Sequence, residues 1–201
     1  MQAILSSTFF GPIQWYQKLA RYNSVLIERH DSYRKQTYRN RCVIATASGT
    51  QTLTVPVEKD QDTRSPRISD HGNWRHLHWH ALMTAYGDSP FFSYYADDIR
   101  PFFDNAQGNL YDLNMEICMK ICGLIDIHPN ISVTDTFIPD YTGVQGIKDF
   151  RDAINPKHPL PDDEFAPRPY WQVFRQRNGF ISNLSILDLL FNMGPESIFY
   201  L

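Results

Sequence analysis

The sequence predicts an α/β fold, a single domain whose mixed, partly parallel sheet is flanked by helices. Residues 2–31 alternate between strand and helix patterns, and residues 37–59 alternate between apolar and polar positions about a central Ser48-Gly49. Several later segments have helical periodicity. A chain of 201 residues is long enough for one substantial core, so we expect one domain over residues 1–201.

The N-terminal elements predict a parallel βαβ unit. Residues 2–10 predict a first buried strand, Gly11-Pro12 mark a turn, and Pro12 suits the first position of a helix over residues 13–22. A second β-branched run follows at residues 24–31. Strands joined through a helix in this way pair in parallel.

The later elements are predicted from turn residues and helix-end signals. These signals predict a hairpin at residues 37–59, helices at residues 73–86, 109–125 and 182–194, and a strand at residues 130–138. The last of these helices is expected to start at Ser182-Asn183 and to end at Gly194. Residues 139–168 contain five prolines and no periodicity, which predicts a Pro-rich irregular loop.

Composition excludes several classes of protein. The formal net charge of −3 gives no field that would attract nucleic acid, and no apolar run is long enough to span a membrane. The three cysteines form no CxxC pair, and the N-terminus does not resemble a signal peptide, so we expect a soluble, cytoplasmic protein with free thiols. No dinucleotide or P-loop motif is present, and the sequence indicates neither a cofactor nor an oligomeric state.

The segment NWRHLHWH, residues 73–80, raises the question of a metal site. On a helix, Trp74 and His78 fall on one apolar face, whereas His76 and His80 fall on the opposite side. The three histidines therefore cannot share one ion, and no third ligand is supplied for the exposed pair, so no metal site is predicted. His78 lies on the buried face, where it is either a hydrogen-bonded core residue or a general base.

The segment YRKQTYRNR, residues 33–41, is the densest positive patch in the chain. If residues 37–45 form a strand, Arg39 and Arg41 share one face with Val43, and two guanidinium groups there suit a phosphate or carboxylate. The alternative is a solvated edge strand whose charges oppose aggregation.

The turn STFFGPIQWYQKL offers a second way to bind an anion. A strand end that opens into a helix places backbone amides near Gly11 at a helix N-terminus, where negative charge is favoured.

Five segments in order resemble the WbqC-like protein family over most of the chain: STFFGPIQWYQKLA, VLIERHDSYRKQTYRNRCVI, LTVPVEK, NWRHLHWHALMTAYGDSPFF and NLSILDLLFNMGPES. The matching positions include Pro12, Asn40-Arg41, Trp74 and His78. The family's Pro-x-Tyr-x-Pro-Trp start is replaced here by residues 7–12. The resemblance implies a bacterial protein of O-antigen polysaccharide synthesis and a glycine transferase that acts on surface sugars.

We therefore expect a transferase that moves a glycyl or acyl group to a sugar, with an anionic small-molecule substrate such as a nucleotide-sugar or an activated amino acid. The candidate site residues are His78 as the catalytic base and Lys35, Tyr38, Arg39, Asn40, Arg41 and Trp74 as ligand-binding residues. The alternatives are a non-catalytic sugar-nucleotide or anion-binding module, and an interaction protein of a polysaccharide assembly complex. The aromatic segment FFSYYADDIRPFF would supply the surface of an interaction protein.

Overall fold

The computed structural model describes residues 1–58, 64, 66–104 and 108–201. The strands are β1 (Gln2–Ser6), β2 (Ser24–Glu28), β3 (Arg41–Thr46), β4 (Gly49–Thr54), β5 (Ile131–Val133) and β6 (Ile147–Asp149). The helices are α1 (Ile13–Arg21), α2 (Trp74–Tyr86), α3 (Phe92–Ile99), α4 (Pro101–Asp104), α5 (Leu110–Leu124), α6 (Arg175–Asn178) and α7 (Ile186–Met193). Short 3₁₀ segments precede α2 at His71–Asn73 and follow α7 at Gly194–Tyr200.

The main sheet has four parallel strands in the order β5-β2-β1-β6, which confirms the α/β class. The predicted β1-α1-β2 unit is present, and its strands are shorter than the apolar runs suggest. β1 ends at Ser6 because the chain then turns: Phe10 has a φ of 44°, and a Cβ on Gly11 would lie 2.3 Å from Oγ1 of Thr8.

The predicted hairpin forms, and it makes a two-stranded sheet of its own. β3 and β4 pair antiparallel from Arg41 opposite Thr54 to Thr46 opposite Gly49, and Gly49 takes the positive φ of 118° that the turn needs. Cys42 and Ile44 are fully buried, whereas Arg41 and Val43 on the other face are half-buried. Val43 shares the face of Arg41, as the sequence predicts, but this face is not the one that packs into the core.

The helices α2 and α5 follow their predicted bounds closely, whereas α7 starts later than predicted. α2 begins after Asn73, whose side chain makes no capping hydrogen bond. α7 starts after Ser185, whose Oγ accepts a hydrogen bond from the backbone amide of Leu187, so the predicted start at Ser182-Asn183 is too early. Asn183 instead turns towards α1, where its Oδ1 accepts the amide of Gln14 at 2.9 Å.

The Pro-rich segment at residues 139–168 contains one regular element. β6 pairs with β1, with Ile147 opposite Gln2 and Asp149 opposite Ile4. Further along, Asp162 lies 2.7 Å from the buried ammonium group of Lys18 on α1. These contacts fasten the segment to the edge of the parallel sheet and to α1.

No helix in the described ranges combines the length and the apolarity that crossing a bilayer requires.

Candidate functional site

The order of the parallel strands marks one place on the sheet for a ligand. From β1 the chain adds β2 and β5 on one side, and later adds β6 on the other side. Ligands of open parallel sheets bind beyond the carboxyl ends of the strands where the strand order reverses. In this fold that place lies between Ser6, the last residue of β1, and Asp149, the last residue of β6.

A cavity opens at this place, and we call it the switch-point cavity. It is lined by the end of β1 and the residues after it, by Trp15 of α1, by the loop after β2 and by residues that follow β6. These residues are Ser6, Ser7, Thr8, Trp15, Arg34, Thr37, Tyr38, Arg39, Phe150, Arg151, Asp152, Ile154 and Asn155. Its volume is about 20 Å³, and a single water molecule needs about 10–15 Å³ on the same measure. The cavity therefore has room for one or two oxygen atoms of a small anionic group, such as a phosphoryl or carboxylate group.

Three guanidinium groups and one carboxylate line the switch-point cavity. Arg39 donates to the carbonyl of Ser32 at 2.8 Å and to Oγ of Ser6 at 3.2 Å, and it pairs with Asp31. Arg34 pairs with Asp31 at 3.1 Å and with Asp152 at 2.8 Å. Arg34 thus joins the loop after β2 to the segment after β6 across the cavity.

Ion pairs fix the position of these arginines. Burial raises the pKa of the Asp31 carboxyl, but the hydrogen bonds and charges of Arg39 and Arg34 outweigh burial and hold that pKa below its ordinary value. Arg151 is nearly buried and contacts Asp149 at 2.5 Å and Glu28 at 3.3 Å. The carboxylates at the ends of β2 and β6 therefore orient the cationic lining of the site.

One buried side-chain oxygen of the residues that line the switch-point cavity has no partner in the described part of the chain. Oγ1 of Thr8 is buried and makes no hydrogen bond with a described residue. A buried hydroxyl without a partner costs about 1–3 kcal/mol, which a ligand oxygen within reach of this hydroxyl would recover.

The N-terminus of α1 is not open to an anion, contrary to the expectation from the sequence. The amide of Ile13 donates to the carbonyl of Leu184 at 3.0 Å, and the amide of Gln14 donates to Asn183. The carbonyl of Gly11 in turn accepts the amide of Ile186. Residues ahead of α7 therefore cover this helix end, and the backbone groups near Gly11 are used within the fold.

Arg39 and Arg41 do not share a strand face, so the expected pair of guanidinium groups on one face of a strand does not form. Arg39 lies in the turn before β3, and only Arg41 belongs to the strand. Arg39 reaches the switch-point cavity, whereas Arg41 is half-buried beside β4, and its Nε is buried without a hydrogen-bond partner in the described chain. The turn rotates the chain between these two positions, so a two-residue spacing does not place them side by side.

The other predicted binding residues lie in several places. Tyr38 lines the switch-point cavity, and burial raises the pKa of its hydroxyl to about 12. Asn40 donates to the carbonyl of Val55 at 2.9 Å and so holds β4, while Lys35 is exposed. Trp74 is buried and donates to the carbonyl of Ser69.

His78 occupies an aromatic pocket in the core. Its ring lies 5.2 Å from Trp74, 6.3 Å from Phe103 and 6.5 Å from Phe9, measured between centroids. Burial lowers the pKa of His78 to about 4, and its Nδ1 is buried without a partner in the described chain. His78 does not line the switch-point cavity, so the structure does not bring it together with Arg39.

His76 and His80 are exposed on the opposite side of α2, as the periodicity predicts. Their rings contact each other at 4.2 Å between centroids. Within the described ranges no group of three or more His, Cys, Asp or Glu side chains is arranged to hold a metal ion.

The aromatic segment at residues 91–103 is mostly part of the core. Phe92, Tyr95 and Phe103 are buried, and Tyr94 is exposed. A broad aromatic surface, which an interaction protein would use, is not formed by this segment.

Sequence reasoning missed Arg34, Arg151 and Asp152 as residues of one site. Arg34 and Asp152 are separated by 118 positions, and they meet only because β6 pairs with β1. The available signal was the charged pair Arg151-Asp152 shortly after the apolar positions of IKDF. A three-residue strand inside a Pro-rich segment, however, gives no periodicity to recognise.

Comparison with known proteins gives the family. The family model described as "WbqC-like protein family" matches residues 7–157, which include the turn after β1, α1 to α5, and the segment after β6. The chain belongs to the WbqC-like protein family. A relative of this WbqC-like chain is the uncharacterized protein Rv1507c of Mycobacterium tuberculosis, which is 26% identical over 223 residues and covers 99% of this chain and 96% of its own length. No solved structure matches the chain at a significant level. The matched range contains every residue that lines the switch-point cavity except Ser6.

Proposed function

We propose that this WbqC-like protein binds an anionic small molecule through one phosphoryl or carboxylate group held in the switch-point cavity. The observation that carries the proposal is the convergence of Arg34, Arg39 and Arg151 at the place where the strand order reverses. Guanidinium groups bind such oxygens through two parallel donors, and Thr8 adds a hydroxyl that lacks a partner.

Arg34 is the residue best placed to exchange partners. Its side chain is 51% exposed, and its partner Asp152 is 63% exposed, so their ion pair contributes little to stability. A ligand oxygen can replace Asp152 on this guanidinium without disturbing the buried pair of Arg39 and Asp31.

The narrower proposal is the transferase activity that the family resemblance implies, a glycyl or acyl transfer to a sugar of bacterial surface polysaccharide. Nucleotide-sugars, aminoacyl adenylates and coenzyme A thioesters all carry phosphoryl groups that the cavity would hold. A cavity of this size admits only oxygen atoms of the phosphoryl group, so the sugar or acyl part would lie outside its mouth. His78 as general base and a cytoplasmic location stay predictions.

The test is a thermal-shift screen of these three ligand classes against the wild type and Arg34→Ala. A ligand at a hundred times its Kd raises stability by about 2.7 kcal/mol, which a thermal shift detects. Arg34→Ala is expected to weaken binding by about 1.5–3 kcal/mol, the range for a hydrogen bond to a charged group. Arg177→Ala, which removes an exposed arginine of α6, is the matched control and should bind as the wild type does.

Arg41→Ala distinguishes the observed site from the one that the sequence predicts. A loss comparable with that of Arg34→Ala would extend the site to the start of β3. If no ligand stabilises the wild type, or if Arg34→Ala responds as the wild type does, the proposed site is wrong.

A further inference from the structure

A second cavity lies on the other side of Arg39. It opens between the carboxyl ends of β1 and β2, and its lining includes Ser7, Arg29, Tyr33, Arg39 and Tyr111. Its volume is also about 20 Å³, so it too has room for one or two oxygen atoms of a small group. Ser7 and Arg39 line both cavities, so the two cavities adjoin at these residues.

The cationic groups of the second cavity are not all neutralised within the fold. Glu28 and Asp31 also line it, but Glu28 pairs with Arg151, and Asp31 pairs with Arg34 and Arg39. Among the described residues Arg29 has no carboxylate partner, and it rests on the ring of Tyr111, with its guanidinium carbon 5.3 Å from the ring centroid. An exposed guanidinium therefore faces this cavity with its donors available.

Tyr111 supplies a second observation that indicates a ligand. Its side chain is only 8% exposed, and its hydroxyl is buried without a hydrogen-bond partner in the described chain. Burial raises the pKa of this hydroxyl to about 12, so it stays protonated and can donate to an anion. Tyr111 is the second residue of α5, whose N-terminal end adds positive partial charge at the same place.

Both cavities thus have arginines and a buried hydroxyl without a partner in the described chain in their lining, and both have about the same small volume. We propose that the second cavity holds a second phosphoryl group of the same ligand, so that the ligand is a diphosphate ester and Arg39 contacts both of its phosphoryl groups. This inference rests on the proposed function of the switch-point cavity. Among the three ligand classes of the screen, it selects nucleotide-sugars and coenzyme A thioesters over aminoacyl adenylates, which carry a single phosphoryl group.

Titration calorimetry with inorganic phosphate and inorganic pyrophosphate tests the inference. The wild type should bind pyrophosphate at least about tenfold more tightly than phosphate, because a second charge-assisted set of hydrogen bonds forms. Arg29→Ala should lower pyrophosphate affinity by about tenfold and leave phosphate affinity unchanged. Tyr111→Phe, which keeps the ring and removes only the hydroxyl, should lower pyrophosphate affinity by several-fold, and Arg177→Ala should change neither.

The outcomes separate this inference from the proposal on which it rests. Equal affinities of the wild type for the two anions would overturn the second subsite and leave the first intact. Equal losses for both anions in Arg29→Ala would show that the two cavities do not act as separate subsites, which also overturns the inference. If neither anion binds the wild type, the proposed function itself fails.

Discussion

His78 is a histidine whose surroundings oppose its protonation. Trp74, Phe9 and Phe103 surround its ring, and no carboxylate pairs with it in the described chain. Its place on the buried face of α2 was predictable, because a helix with 3.6 residues per turn puts His78 on the face opposite to His76 and His80. Its distance from the arginine cluster was not predictable, because it depends on how α2 packs against the turn after β1.

The lowered pKa of His78 predicts an acid-dependent loss of stability. Because the folded pKa of about 4 is below the unfolded value of 6.5, the unfolded chain takes up a proton between these values and the folded chain does not. The stability that neutral His78 provides is complete above pH 6.5 and falls as the pH approaches 4, by up to about 3 kcal/mol. His78→Asn lacks this titration, so its urea-unfolding free energy should decline less than that of the wild type.

The comparison has a clear contrary outcome. If the unfolding free energies of the wild type and His78→Asn fall in parallel from pH 7 to pH 4, the His78 ring is not the buried neutral group described above. A general-base role, by contrast, predicts lost turnover in His78→Asn with little loss of stability at neutral pH.

At the scale of elements, the strong local patterns were predictable and the weak ones were not. The β1-α1-β2 unit, the hairpin, α2 and α5 carry clear periodicity and turn residues. β6 has three residues, and its place in the sheet depends on pairing with β1. The carboxyl edge that holds Arg151 and Asp152 could therefore not be assembled from the sequence.

The true start of α7 can be measured with two serine substitutions. Ser185 is buried, accepts from the amide of Leu187 and donates to the carbonyl of Phe10 at 2.8 Å. Ser185→Ala should lower the free energy of unfolding by about 1–2 kcal/mol, because it removes a cap and leaves the Phe10 carbonyl unpaired. Ser182→Ala, at the exposed position that the sequence suggests, should change it by less than about 0.5 kcal/mol. Equal losses of unfolding free energy in the two variants would contradict a cap at Ser185.

The Pro-rich segment is expected to depend on Lys18. The Lys18 and Asp162 side chains are 1% and 4% exposed, so removing the cation leaves a buried carboxylate without its counter-ion. Lys18→Met should cost about 3–5 kcal/mol and increase amide hydrogen exchange at residues 160–165, and the double variant Lys18→Met/Asp162→Leu should recover most of the loss. Unchanged exchange in Lys18→Met would show that other contacts hold the segment.

At the scale of the whole molecule, most of the buried hydrophobic residues that the structure describes belong to one cluster, which extends from Ala3 to Leu201. We propose on this basis that residues 1–201 unfold as one domain. Tryptophan fluorescence, which reports on buried Trp15, Trp74 and Trp79, and far-ultraviolet circular dichroism should then give the same urea midpoint. Two separate transitions would contradict a single domain.

The central claim is that the ligand of this WbqC-like protein binds beyond the carboxyl ends of β1 and β6. A crystal structure with the best ligand of the screen tests it directly, because it locates the anionic group. We expect a phosphoryl or carboxylate oxygen within hydrogen-bonding distance of Arg34 and Oγ1 of Thr8, with the Arg34 contact to Asp152 broken. An anionic group bound instead beside His78, or against the face of β3 that carries Arg41, would contradict the account.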